Sequence, residues 1–337
     1  MSARTHPDPA PGTPGTAAPA ARPDRTAALR PALPQITFDG LRREQIDTRW
    51  VARAGGLEAY VFDGADLATA DRWDTLRANL RFATDLGAPR LTCHFPTANA
   101  DWVGDTHAYD QLRRFCDLAA DSGASGVVLH ANQFVEQADW LDFDLRAARE
   151  RTVARLAALD EDLDGSPLWI GVENLPVIGA EGIDYDSVFV RPDDYLPLLD
   201  LNSPRIGATW DVCHWAVTYT TLASIAQLQQ RPPDLAPLAL PPVPVKHIHF
   251  GSFSGRAIPF RTDVCVEGVP PQRGDIEQPL LAAMLRAAIE AADGPGVVLE
   301  IQEDDYLRRE HCWTTLEWLT STPHLRTCIA PAGAARD

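Results

Sequence analysis

The sequence predicts an α/β protein built as a single (β/α)₈ barrel behind a disordered N-terminal tail. Three observations predict it. Eight short apolar, β-branched runs alternate with longer stretches of helical periodicity. Six of those runs carry a histidine or an acidic residue at their C-terminal end, in Leu91–His94, Val127–His130, Ile170–Glu173, Trp210–His214, His247–His249 and Val298–Glu300. The chain of 337 residues also leaves room for the about 250 that such a barrel needs.

Residues 1–33 are rich in Ala, Pro, Thr and Gly and nearly free of bulky apolar side chains, so they cannot offset the entropy of ordering and are expected to be a disordered tail. The barrel is expected over 34–322, with a C-terminal tail at 323–337. Its strands are placed at Gln35–Phe38, Leu57–Phe62, Arg90–Phe95, Gly126–His130, Leu168–Glu173, Ile206–Trp210, Val245–Phe250 and Gly296–Ile301. Helices are expected near 41–53, 72–86, 107–122, 142–160, 192–200, 221–230, 277–292 and 305–319. Gly123 stands where the third helix should close in a left-handed cap before the next strand. The Pro-rich stretch from Arg231 to Pro244 reads as a loop. An open doubly wound sheet is the competing fold, but no GxGxxG turn follows any strand.

A formal charge of −17 and a single lysine, Lys246, argue against a nucleic-acid partner, which would need clustered cations to displace counterions. Six scattered cysteines without a CxxC pair suit neither a zinc ribbon nor a disulfide framework and point to a reducing compartment. With no apolar run of membrane-spanning length and no secretory signal pattern, a cytoplasmic location is expected. Oligomeric state is left open, a homo-oligomer included.

A fold that places polar groups at one end of strand after strand is assembling one site at that rim. Glu173 emerges as the fifth strand ends, and Glu300 closes the run Val297–Leu299, where a charge is costly unless paired or metal-bound. Asp211 and His214 share a face at i, i+3 if the segment turns. His247 and His249 alternate on the seventh strand, and His249, nearer the C-terminal end, is favoured for the site over His247. Glu173, Asp211, His249 and Glu300 form a hard ligand set suited to one divalent Mn, Mg, Co or Zn ion. His94 and His130 extend the site, holding a second metal or substrate oxygens. Arg256, Arg261 and Arg273 follow the seventh strand and are candidates for a substrate anion. Trp210 and Trp215 suit a pocket wall or core packing equally, and Cys213 reads as a buried thiol.

The order Glu173-Asn174, Asp211-x-x-His214, Ile248-His249-Phe250, Gly274-Asp275-Ile276 and Leu299-Glu300-Ile301 resembles the xylose isomerase-like superfamily of TIM barrels, over roughly residues 34–320. That resemblance implies one divalent ion on Glu173, Asp211, His249 and Glu300. It also implies that the two glutamates act as catalytic acid and base on opposite faces of the substrate, with His214 on a substrate hydroxyl. The expected activity is an isomerase or epimerase acting on a small sugar-like or α-hydroxycarbonyl compound. The rivals are an endonuclease IV-like multinuclear phosphodiesterase, a lyase of the same superfamily, and a non-catalytic metal-binding barrel. In the nuclease pattern His214 becomes a ligand and Asp263 begins an Asp-x-His element, but Cys265 stands where its histidine would be.

Overall fold

The computed structural model describes residues 30–131, 133–134, 139, 142–177, 184–185, 188–258, 264–292 and 294–330. Eight parallel strands close on themselves: β1 (Leu33–Asp39), β2 (Gly56–Tyr60), β3 (Leu91–His94), β4 (Gly126–Leu129), β5 (Trp169–Glu173), β6 (Ile206–Asp211), β7 (Val245–Phe250) and β8 (Gly296–Leu299). They follow one another around the barrel in chain order, and β8 pairs with β1 from Leu33 opposite Gly296 to Ile36 opposite Leu299. All eight expected strands are present, because runs of four to seven buried apolar residues are how a sheet covered on both faces reads.

The outer layer holds α1 (Thr48–Arg53), α2 (Ala70–Asp85), α3 (Thr106–Asp121), α4 (Leu145–Asp162), α5 (Val212–Leu228), α6 (Gln278–Ala291) and α7 (Glu310–Ser321). The helix expected at 192–200 is a 3₁₀ helix, Pro192–Leu201, whose internal Pro197 cannot donate an α-helical hydrogen bond. Aspartates cap α1, α3, α4 and α5, with Asp47, Asp105, Asp144 and Asp211 each accepting from a main-chain N–H of the first turn. Gly123 follows α3 at φ 78°, the left-handed conformation expected of it.

Three expectations need correction. The sixth helix begins at Val212, not near 221. Its first two turns are buried on every side, Val212 through Thr218, so no amphipathic period marks them. The segment 323–330 does not trail away as a tail. Leu325, Cys328 and Ile329 are buried, and Ile329 bridges Ala32 beside β1, because these apolar side chains close the base of the barrel. The same contact orders residues 30–33, and the rest of the expected N-terminal tail, residues 1–29, lies outside the described residues.

Two antiparallel additions decorate the strand C-termini: a hairpin of Ser252–Gly255 with Cys265–Val269, and a short pair of Gln133–Phe134 with Asp184–Tyr185. All six cysteines are free and buried. Among the described residues, no helix is long and apolar enough to cross a membrane.

Candidate metal centre

Glu173 and Asp211 are the last residues of β5 and β6, His249 is one residue from the end of β7, and Glu300 directly follows β8. Register aligns them, with Asp211 opposite His249 and His249 opposite Val298 two residues before Glu300. One ligand atom from each of these four residues lies within 4.8 Å of the others. Glu173, Asp211 and His249 are essentially solvent-free, and the Glu300 side chain keeps 33% exposure.

Glu173-Asn174 and Asp211-x-x-His214 fold as one unit. The Asn174 side chain donates to the Asp211 carbonyl (2.9 Å) and accepts from the Asp211 N–H (2.7 Å). Asp211 Oδ1 caps α5 by accepting from His214 N (2.7 Å), and the i, i+3 spacing is thus the first turn of a helix. His214 Nδ1–H donates to the Asn174 carbonyl (2.8 Å), which leaves Nε2 facing Glu267 Oε2 at 3.4 Å.

His94 follows the same logic. Its Nδ1–H donates to the Phe95 carbonyl (2.8 Å), so Nε2 is turned to Glu173 Oε2 at 3.2 Å. His130 Nε2 reaches the same oxygen at 3.2 Å, while the buried Trp102 indole N–H donates to the His130 carbonyl (2.7 Å) and fixes the backbone behind it. His249 Nδ1 lies 3.3 Å from Glu173 Oε2 and 3.4 Å from Glu300 Oε1. The structure therefore brings together every residue singled out for the site: His94, His130, Glu173, Asp211, His214, His249 and Glu300.

Carboxylates and imidazoles in this cluster shift one another's affinity for protons. Burial alone would push the Glu173 carboxyl up, but the facing His249, His130 and His214 hold it well below the usual range. Burial opposes charge on His249 and His214, yet the surrounding carboxylates raise both well above the ordinary imidazole value, and His94 is raised by Glu173 in the same way. Burial, helped by Glu173 and Glu300 against the pull of His214, pushes the Asp211 carboxyl up to about 7.

The residues fit a divalent cation. Glu173 Oε1 and His249 Nδ1 are buried and have no hydrogen-bond partner, and they belong to the four-residue set. Ligand bonds of about 2.1 Å place opposed donors about 4.2 Å apart, within the observed spread. Three carboxylates and one imidazole are a hard set of that kind.

Above the cluster a cavity of about 310 Å³ opens, walled by Tyr60, Asp211, His214, Glu267, Glu300 and Gln302 among others. Two carboxylates escaped the sequence reading. Glu267 arrives on the hairpin after β7 beside Gly268, whose φ of 75° is left-handed and where a Cβ would stand only 2.9 Å from the Glu300 carbonyl oxygen; nothing in the sequence marks it. Glu58 sits in the middle of β2 with no exposure, and a lone charge inside the apolar run Gly56-Leu57-Glu58-Ala59 was the signal for it.

The remaining candidates stand elsewhere. His247 is a core residue against Trp169, with ring centroids 5.1 Å apart. Trp210 and Trp215 pack on each other in the core. Cys213 is buried with its thiol donating to the Ser252 carbonyl, and burial raises its pKa well above the ordinary value. Arg256 turns back to its neighbour's carbonyl and Arg273 lies against His311, both exposed, so neither reaches the cluster. Arg261 and Asp263 lie outside the described residues.

The family described as xylose isomerase-like TIM barrel matches residues 50–322, and the chain belongs to it. Among solved structures, a D-tagatose 3-epimerase-like protein is similar at 13% identity with a TM-score of 0.56, over 88% of this chain and 98% of that one. The 3-keto-D-glucoside 4-epimerase of E. coli is similar at 17% identity and 0.55, over 88% and 100%. An L-ribulose 3-epimerase is similar at 14% and 0.55, over 87% and 99%. At these identities the likeness is one of fold. No curated protein matches the sequence.

Proposed function

We propose that this protein is a divalent-metal-dependent epimerase or isomerase of a small sugar-like or α-hydroxycarbonyl substrate. Glu173, Asp211, His249 and Glu300 hold the cation. The observation that carries the reading is the convergence of two glutamates from β5 and the end of β8 on one imidazole nitrogen, His249 Nδ1, beneath a small polar cavity. Its size, at the lower end of the roughly 300–1,000 Å³ of small-molecule sites, suits a sugar-sized ligand.

When bound, the cation neutralises negative charge developing on neighbouring substrate oxygens as the α-proton leaves. Glu173 is kept ionised by the imidazoles around it and is ready to accept that proton. Glu300, partly open to the cavity, returns a proton from the other face or to the adjacent carbon. His214, oriented by Asn174, donates to a substrate hydroxyl, and His94 and His130 hold the Glu173 carboxylate in place or contact substrate oxygens. Similar folds in sugar epimerases support the same class of substrate.

A hydrolytic reading has one specific observation in its favour: His94 Nε2 and His130 Nε2 both stand 3.2 Å from Glu173 Oε2, so these two imidazoles would offer donors to a second cation beside Glu173. The charge of −17 speaks against a polyanionic substrate. Incubating the manganese-loaded protein in deuterated water with a panel of ketoses and hydroxyketones separates the two. Deuterium at the carbon next to the carbonyl is expected; cleavage of abasic DNA without any exchange would make the protein a nuclease.

A further inference from the structure

Below the metal centre the barrel interior holds a second set of polar side chains that the proposed reaction does not use. Glu58 points into the barrel from β2 and is wholly buried. Its carboxylate lies between the two histidines of β7 across the interior: His247 Nε2 hydrogen-bonds Oε2 at 3.0 Å, and His249 Nε2 stands 3.0 Å from Oε1 at ion-pair distance, these last two atoms being buried and otherwise without a hydrogen-bond partner. Thr92, its partner in register on β3, donates its hydroxyl to Oε2 at 2.7 Å. Gln35 on β1 donates to Thr92 Oγ1 (3.0 Å) and to the Leu57 carbonyl (2.8 Å). Among the described residues His249 is thus the side chain that belongs to both layers. Nε2 faces Glu58, and Nδ1 faces Glu173 and Glu300.

We propose that Glu58 is a positioning residue for the metal centre: it keeps the His249 proton on Nε2 and the ring in its orientation, so that the Nδ1 lone pair is presented to the cation. The inference rests on the metal-centre reading above. A neutral imidazole has one donor and one acceptor nitrogen, and the hydrogen bond made by one decides which atom is free to ligate. A carboxylate is acceptor-only and therefore selects a single tautomer, whereas a glutamine could face the ring either way. Carboxylates that orient a ligating imidazole in this manner strengthen metal binding, and losing one typically weakens it about 10–100-fold. A bare buried carboxylate would be unstable, which explains the rest of the layer: His247 and Thr92 both hold Oε2, and Gln35 holds Thr92. The alternative use of Glu58, His247 and His249 as a cation site of their own finds fewer free donors, because Oε2 is already shared by Thr92 and His247 Nε2, which leaves Oε1 and His249 Nε2 facing each other.

The test is a titration of the full, metal-stripped chain with Co²⁺, followed by its visible absorption, for wild type, Glu58→Gln, His247→Gln and Glu173→Gln. Glu58→Gln should bind Co²⁺ about 10–100-fold more weakly with a changed spectrum. His247→Gln changes the same buried layer but keeps an N–H donor for Glu58 Oε2 and leaves the Glu58–His249 contact in place, so it should stay within about threefold of wild type, whatever either variant does to the melting temperature. Nitrogen-resolved NMR of the zinc-loaded wild type should find the His249 proton on Nε2, a readout that needs no variant to fold. Unchanged affinity in Glu58→Gln, an equal loss in His247→Gln, or a proton on Nδ1 would each overturn the role of Glu58 while leaving the metal centre standing. Wild type that binds no Co²⁺, or Glu173→Gln that binds it as well as wild type, would overturn the metal centre and this inference with it. Two Co²⁺ per chain, one of them lost in His247→Gln, would make Glu58 a ligand and not a positioning residue.

Discussion

Asn174 and Asp211 are tied by a reciprocal pair of hydrogen bonds, the Asn174 amide to the Asp211 carbonyl and the Asp211 N–H to the Asn174 amide oxygen. The pair joins the ends of β5 and β6 at the point where both deliver a carboxylate to the cluster. Truncation to Asn174→Ala leaves two buried main-chain groups unpaired, which should cost about 1–3 kcal/mol of stability. It should also weaken Co²⁺ binding by about 10-fold by loosening Asp211. Urea denaturation and a cobalt titration measure the two effects. A variant as stable and as tightly binding as wild type would show that the pair positions nothing.

Metal binding should depend on pH in a definite direction. In the metal-free protein Asp211 titrates at about 7, and His249 and His214 are held well above the ordinary imidazole value, so near neutrality the cluster carries protons. A cation has to displace them from its ligands. Affinity should therefore rise between about pH 6 and pH 8, with protons released on binding. Calorimetry in buffers of different ionisation enthalpy reads this directly, and a flat profile would contradict the charge balance described here.

The thiols should be silent in the folded state. Burial raises Cys93, Cys116, Cys213 and Cys312 above the ordinary thiol value and brings Cys265 up to about 11, and all six cysteines are buried. A thiol-specific chromogenic reagent should label fewer than one cysteine per native chain and all six in denaturant. Rapid labelling without denaturant would mean that the region around the reacting thiol opens.

His130→Ala discriminates the two functional readings. With a single cation on Glu173, Asp211, His249 and Glu300, the variant should keep the full metal content and lose only substrate affinity or rate. If half of the bound metal disappears, Glu173 bridges two ions and the hydrolytic reading gains.

Much of this was legible in the residues. Buried parallel strands read as short apolar runs, so all eight could be placed, and a histidine or carboxylate at the end of such a run has few structural uses. What stayed hidden depended on contacts between distant segments. The start of α5 shows no period because it is buried all round. Glu267 reaches the pocket only through the turn of a hairpin, and hairpin geometry after β7 is not encoded in residue type alone. Glu58 was readable as an unpaired charge in mid-strand, but its partner His249 lies 191 positions away on a strand it does not hydrogen-bond to. His247 illustrates the converse, since a histidine two residues from His249 on the same face belongs to the layer below and to Glu58.

The central claim is that four side chains from four strand ends share one cation, and metal quantification of the purified native protein beside Glu173→Gln tests it most directly. About one divalent ion per wild-type chain is expected, with its near-complete loss in the variant. A wild type that carries no stoichiometric metal and takes up none from solution, or a variant that retains the ion in full, would contradict the account.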